Sequence, residues 1–292
     1  MLKIALPNGS LEEGTMKLFE EANLRVIRSP RRHEARIVDP RISQVTVMRP
    51  QHIPRLVEQG TYDLGVCGFD SVMESRAKVV VIQGLCYSLR TRGSVHVVLI
   101  GAADDMTKSA VDVPPGSAIL SEFPEWTRRF FEKLNIPVTV EFSYGGTEAH
   151  IPRDYRYGIC VTETGASITA NGLRIIQKLF ESGTVLITNR ASESHKKKGE
   201  AIHTLRLLLV GAHDAHDKVL LVMNVSARKK EAVLRNLSAM KEPTIGKLAH
   251  GKGFSISSVV DRANLNEVIP NLLKHGARDL IELPISKVIH RW

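Results

Sequence analysis

The residues of this chain best suited to chemistry lie in the stretch Val161-Thr162-Glu163-Thr164-Gly165-Ala166-Ser167-Ile168. An acid, several hydroxyls and a glycine stand there between an apolar run and a segment with helical spacing. Such a strand-to-helix turn can hold a phosphate. Gly165 tolerates a positive φ and brings the backbone close to a ligand, while Thr164, Ser167 and the first amides of the following helix converge on an anion. Glu163 repels that anion unless it faces something else, and a ribose hydroxyl or a bridging Mg²⁺ suits it, which together describe a phosphorylated sugar. The same residues also suit an ordinary strand-loop-helix turn capped by Thr164 or Ser167, and local chemistry alone favours that simpler reading.

The elements that must position this loop follow from short apolar runs alternating with helical periodicity. Residues 4–6 read as a strand; Ser10 and Glu13 then fit a capping box, and Leu11, Thr15, Leu18, Phe19 and Ala22 fall on one helical face. Further strands are expected over 64–67, 79–82, 95–101, 138–142 and 159–161, several with helices between them. That order predicts α/β layers with largely parallel sheets, in which ligands bind beyond the carboxyl ends of strands. The loop Pro114-Pro115-Gly116 and the turn Tyr144-Gly145-Gly146 fall inside a middle lobe of about 91–180. After a polar stretch over 193–200 come a strand (219–225), a helix (228–239), a strand (254–260), a helix (265–275) and a strand (279–283). These suggest a separate, small ferredoxin-like domain.

Bulk properties narrow the class of protein. With 292 residues, 43% of them hydrophobic, the chain has enough apolar material for two or three domains. Cys67, Cys86 and Cys160 are an odd, widely spaced set that argues for a reducing compartment rather than a disulfide framework. The chain enters a strand at Leu2 and has no apolar run of membrane-spanning length, so no signal peptide, no membrane and a cytoplasmic location are expected. The net charge of +9 suits nucleic acid or small anions. Its densest basic clusters, 28–36 and 196–198, lack interleaved aromatics and read as solvated loops, so no nucleic acid is expected. The spacing His213-Asp214-Ala215-His216-Asp217 resembles a metal site but has no third and fourth ligand nearby, and a surface connector fits it better. No Ser-His-Asp or Cys-His nucleophile arrangement is visible.

The phosphate loop has company along the whole chain. Leu6-Pro7-Asn8-Gly9-Ser10-Leu11 is followed by Arg49-Pro50-Gln51-His52 and by Asp63-Leu64-Gly65-Val66-Cys67-Gly68-Phe69-Asp70. Then come Ser121-Glu122-Phe123-Pro124, Thr127-Arg128-Arg129-Phe130-Phe131 and Gly146-Thr147-Glu148. The tail carries Met223-Asn224-Val225, Pro243-Thr244-Ile245, Gly276-Ala277 and Pro284-Ile285-Ser286-Lys287. This ordered set resembles the long form of ATP phosphoribosyltransferase, the first enzyme of histidine biosynthesis.

The resemblance implies a two-lobed core like that of periplasmic binding proteins: lobe I over 1–90 with a return segment over 181–212, lobe II over 91–180, and a ferredoxin-like (βαββαβ-type) regulatory domain over 213–292. It implies attack by N1 of ATP on C1 of phosphoribosyl pyrophosphate with loss of pyrophosphate, Mg²⁺ as counter-ion, histidine as inhibitor, and a homo-oligomer, dimer or hexamer. The sugar phosphate falls to Glu163, Thr164, Gly165, Ala166 and Ser167. ATP falls to Gly9, Ser10, Arg49, Asp70, Glu122 and Glu148. Arg49 suits a bidentate phosphate contact or a surface ion pair, Asp70 a ribose or a helix cap, and Glu122 and Glu148 adenine or salt bridges. The chain departs from the family pattern at Cys160 and Arg156, where acids are usual, and at Asn8, where many members carry Lys. A neutral thiol is a poor Mg²⁺ ligand, which makes a non-catalytic nucleotide-binding paralogue the rival reading.

Overall fold

Every residue of the opening strand Leu2–Pro7 except Lys3 is buried, and a strand sealed on both faces belongs in the middle of a sheet. It pairs in parallel with Ile42–Met48 on one side and Leu64–Gly68 on the other. The computed structural model describes residues 1–29, 32–85, 95–237, 242–249 and 251–290. Pro30, Arg31, Cys86 and the end of the helix expected to reach 239 lie outside them. The chain divides into two compact units, Met1–Glu20 with Leu24–Arg206, and Glu21–Asn23 with the residues from Leu207 onward.

The first unit holds two sheets. Seven strands run in the order Val26–Ile27, Glu34–Ile37, Ile42–Met48, Leu2–Pro7, Leu64–Gly68, Thr184–Thr188, Val80–Gly84. Five more run Leu173–Ser182, Val95–Ala102, Tyr157–Thr162, Ala118–Ser121, Thr139–Phe142. Each sheet marks one lobe. The sheets are mixed rather than largely parallel, because the strands that carry the chain between lobes pair against their neighbours: Thr184–Thr188 runs antiparallel to Leu64–Gly68, and Val95–Ala102 runs antiparallel to both Tyr157–Thr162 and Leu173–Ser182. Ala5, Ile53, Val57, Cys67 and Ile187 form one core. Val97, Leu99, Phe131, Tyr157 and Ile159 form another.

In the second unit four strands order as Thr244–Lys247, Phe254–Asp261, Lys218–Val225, Ala277–Pro284, with the helices Lys230–Asn236 and Leu265–Lys274 between them in sequence. All pairings are antiparallel. That is the expected ferredoxin-like βαββαβ arrangement. Strict alternation along Lys218–Val225 buries Val219, Leu221, Met223 and Val225 against Val233, Val268 and Leu272.

Three local expectations change. Ser10 forms no capping box, because Gly9–Leu11 is a 3-10 turn that runs directly into the helix Glu12–Glu21. The polar stretch over 193–200 is not loop: it spans the end of the helix Arg190–Ser194 and the start of Lys196–Ala215. Lys198 there is drawn to the buried carboxylate of Asp63, at 2.6 Å, which also accepts from the Ser192 hydroxyl at 2.6 Å and the Lys3 amide at 2.9 Å. His213 is in the last turn of that helix beside Asp214, and among the described residues no cluster of three or more side chains suits a metal ion.

Candidate active site

A cavity of about 1330 Å³ opens in the first unit, lined from the seven-stranded side by Ser10, Arg49 and Asp70 and from the five-stranded side by Glu122, Tyr144 and Glu163. The strand Leu64–Gly68 delivers Asp70. Gly68 turns the chain into the helix Phe69–Ser75, and the Asp70 carboxylate folds back so closely that a Cβ on Gly68 would lie 2.3 Å from its Oδ1. Any larger residue at 68 therefore displaces the acid. The backbone amide of Asp70 donates to Ser182 Oγ at 2.9 Å, and its Oδ1 accepts from the amide and hydroxyl of Ser71. Burial raises its pKa, with those hydrogen bonds opposing.

Glu122 stands at the carboxyl end of Ala118–Ser121, with Pro124 opening the next helix. Its amide donates to Ile159 O at 3.1 Å, while Ser121 Oγ accepts from the Phe123 amide at 2.9 Å and lies 2.8 Å from Thr127 Oγ1. Burial first, then the negative charges of Glu148 and Asp70, push the Glu122 pKa up to about 7, against a hydrogen bond donated by Thr147 Oγ1 at 3.4 Å. With its pKa raised toward neutrality the group can either donate or accept a hydrogen bond. Glu74, from the opposite lobe, accepts from the amides of Glu125 and Trp126 at 3.0 and 2.8 Å, capping the helix Pro124–Lys133.

In the phosphate loop Gly165 adopts φ +79° at the start of the helix Ala166–Ala170. Thr162 Oγ1 accepts from the Gly165 amide at 2.9 Å and Thr164 Oγ1 from the Ala166 amide at 3.3 Å. Thr164, Ala166 and Ser167 are exposed and Glu163 half-buried. Of the residues 162–168 only Glu163 lines the cavity, beside Val161 at the end of the strand. Behind it Cys160 is 1% exposed, packed with Val98, Ile100, Ile151, Ile168 and Leu173. Burial and the charges of Glu148 and Glu122 push its thiol up, so Cys160 is a packing residue and presents no ligand atom. Arg156 pairs with Asp105 at 2.9 Å. Asn8 Oδ1 is buried without a hydrogen-bond partner among the described residues.

Ser10, Arg49, Asp70, Glu122 and Glu163 thus share one cavity. Glu148 does not line it but acts on Glu122, and Gly9, at φ +74°, places its α-carbon beside Arg49, whose Nη1 would be 4.0 Å from an added Cβ. Sequence reasoning passed over the cavity residues Arg55, Glu74, Phe142, Tyr144 and Ser182. For Phe142 and Tyr144 a signal existed, two aromatics at alternate positions before Gly145-Gly146. For Ser182, contributed by the returning strand, there was none.

The family model described as ATP phosphoribosyltransferase matches residues 49–210, and that described as HisG, C-terminal domain, matches 215–287. The ATP phosphoribosyltransferase of Desulforudis audaxviator is 38% identical over 99% of both chains, and that of Pelotomaculum thermopropionicum 36% over 99% of both. Among solved structures, the ATP phosphoribosyl transferase (HisG:HisZ) complex from Thermotoga maritima matches with a TM-score of 0.60 at 22% identity, covering 72% of this chain and 99% of that one. That likeness bears on the fold of the two-lobed core. With relatives this similar over nearly their whole length, the chain belongs to the ATP phosphoribosyltransferase family.

Proposed function

We propose that this cavity carries out phosphoribosyl transfer as follows. N1 of the ATP adenine attacks C1 of phosphoribosyl pyrophosphate; the N1–C1 bond forms, the C1–O bond to pyrophosphate breaks, and phosphoribosyl-ATP leaves as the first intermediate of histidine biosynthesis. The transition state resembles an oxocarbenium ion, so the protein must align two anionic substrates, neutralise the leaving group and exclude water. The observation that carries this reading is the convergence of Arg49, Asp70, Glu122 and Glu163 on one cavity of about 1330 Å³. That exceeds the roughly 300–1,000 Å³ of a single-ligand site.

The loop 164–167 takes the sugar 5′-phosphate and Glu163 the ribose; Arg49 takes phosphate oxygens and Asp70 the ribose of ATP. The raised pKa of Glu122 lessens the cleft's repulsion of polyphosphates, because a protonated carboxyl carries no charge and can donate. An ion such as Mg²⁺ would arrive on the substrate's phosphates and keep most of its waters. Glu163 is the hard oxygen donor that would hold it, and such an ion would offset charge on the departing pyrophosphate.

The described residues that line the cavity run from Ser10 to Thr184 and all belong to the first unit, and the second unit forms a ferredoxin-like domain of its own. We assign it to regulation by histidine and to homo-oligomer assembly. Ile281 and Leu283, 53% and 43% exposed on its sheet, are suited to an intersubunit contact. The enzyme acts in the cytoplasm on small anions, with neither nucleic acid nor membrane as partner.

Gly165→Val tests the loop. Its Cβ would meet Ile175 Cδ1 at 3.4 Å, and a β-branched residue at φ +79° is strained. Calorimetry on the folded variant should show phosphoribosyl pyrophosphate binding weakened at least tenfold and ATP binding kept. Unchanged affinity for phosphoribosyl pyrophosphate overturns the loop assignment.

A further inference from the structure

We propose that Tyr144, braced by Phe142, is the surface on which the adenine ring of ATP stacks, an inference that rests on reading the cavity as the ATP and phosphoribosyl pyrophosphate site. The two side chains line the same cavity as Asp70 and Glu122. Tyr144 is 95% exposed and Phe142 51%, a large apolar area to leave in water at the mouth of a polar cleft. The rings meet edge to face, with centroids 4.6 Å apart and planes at 66°. Phe142 thus touches the tyrosine ring, which at 95% exposure still presents a π-face to solvent.

Strand geometry explains the arrangement. The strand Thr139–Phe142 ends just before Tyr144, and alternation sends 142 and 144 to one side and 143 to the other. Ser143 is accordingly buried; its Oγ lies 2.8 Å from Thr147 Oγ1, and Thr147 reaches on to Glu122. The aromatic pair is therefore tied to the acid by a short chain of hydroxyls. Gly145 and Gly146 follow at φ +108° and +66°, and among the described residues no atom lies within 4 Å of an added Cβ on either. A flat, uncharged heterocycle is the part of either substrate that gains from such a face, since every base has a π-surface. Phosphoribosyl pyrophosphate has no ring of that kind. A protein segment is the alternative occupant.

The test is a comparison of KM values in the full-length enzyme. Stacking of one base is worth about tenfold in affinity. Tyr144→Ala should raise KM for ATP about tenfold, leave KM for phosphoribosyl pyrophosphate within twofold, and change kcat less than KM; Tyr144→Phe should restore the wild-type KM. An unchanged KM for ATP, or equal rises in both KM values, overturns the proposal and leaves a protein contact as the role of the pair. Tyr144→Trp gives a second readout: its fluorescence should be quenched by ATP and not by ribose 5-phosphate. If the wild-type protein releases no pyrophosphate, the reaction assigned to the cavity fails, and the fluorescence titration alone decides the platform, with absence of ATP quenching overturning it.

Discussion

Replacing Glu122 by Gln keeps the shape and hydrogen-bonding capacity of the side chain and removes its ability to ionise. In the folded protein burial and the nearby charges of Glu148 and Asp70 raise the Glu122 pKa from 4.5 to about 7. The folded state therefore holds this proton more tightly than the unfolded chain does. Its contribution to stability is fully present below pH 4.5 and is lost as pH rises through about 7, leaving a buried anion that costs ~3 kcal/mol at pH 8. Glu122→Gln has no such proton to lose. Unliganded wild type and variant should be nearly equal in stability near pH 4.5, and the variant should be more stable by ~3 kcal/mol at pH 8. Urea unfolding followed by the fluorescence of Trp126, packed in the core of the same lobe with Phe130 and Phe180, reads this difference from the first unit alone once Trp292, the chain's other tryptophan, is replaced by Phe in both proteins. Equal pH dependence in the two proteins would refute the reasoning and mean that water or a counter-ion reaches Glu122.

Two further outcomes follow from other parts of the molecule. Burial disfavours ionisation of Asp63, but Lys198, Ser192 and the Lys3 amide outweigh it and hold its pKa below the usual range; Asp63→Ala strands those donors and should cost about 3 kcal/mol at pH 7 in urea unfolding, a difference that shrinks as pH falls through the carboxylate's folded value. Histidine, added to the full-length enzyme in calorimetry and in steady-state assays, should bind and lower turnover, with the linkage that it binds the less active state more tightly; full activity at saturating histidine removes the regulatory role of the second unit.

Much of the cleft was legible because its residues stand at strand ends, where composition changes sharply. Gly68 before Asp70 and the hydroxyl-rich turn after Val161 both lie where an apolar run stops. Strand direction was not legible, since parallel and antiparallel partners can have the same local pattern and differ only in what lies beside them. The helix Lys196–Ala215 was hidden by its lysine-rich first turn, although Ile202, Leu205, Leu209 and Ala212 repeat at helical spacing and are all buried. Lys198 drew attention as one of a charged run, whereas the carboxylate that holds it is 135 residues earlier. Cys160 was readable as a missing acid but not as a packed one: only tertiary structure shows the apolar cluster around it, and with it that Glu163 is the acid of this loop that reaches the cavity.

A cavity that joins ATP to phosphoribosyl pyrophosphate must release pyrophosphate only when both are bound. Mixing the purified protein with ATP, phosphoribosyl pyrophosphate and Mg²⁺, and following pyrophosphate release together with the change in adenine absorbance, tests it most directly. Both signals should appear at the same rate, require both substrates, and leave a product carrying ribose phosphate on N1 of the adenine. Pyrophosphate release that proceeds without ATP, or binding of both substrates with no turnover, would contradict it.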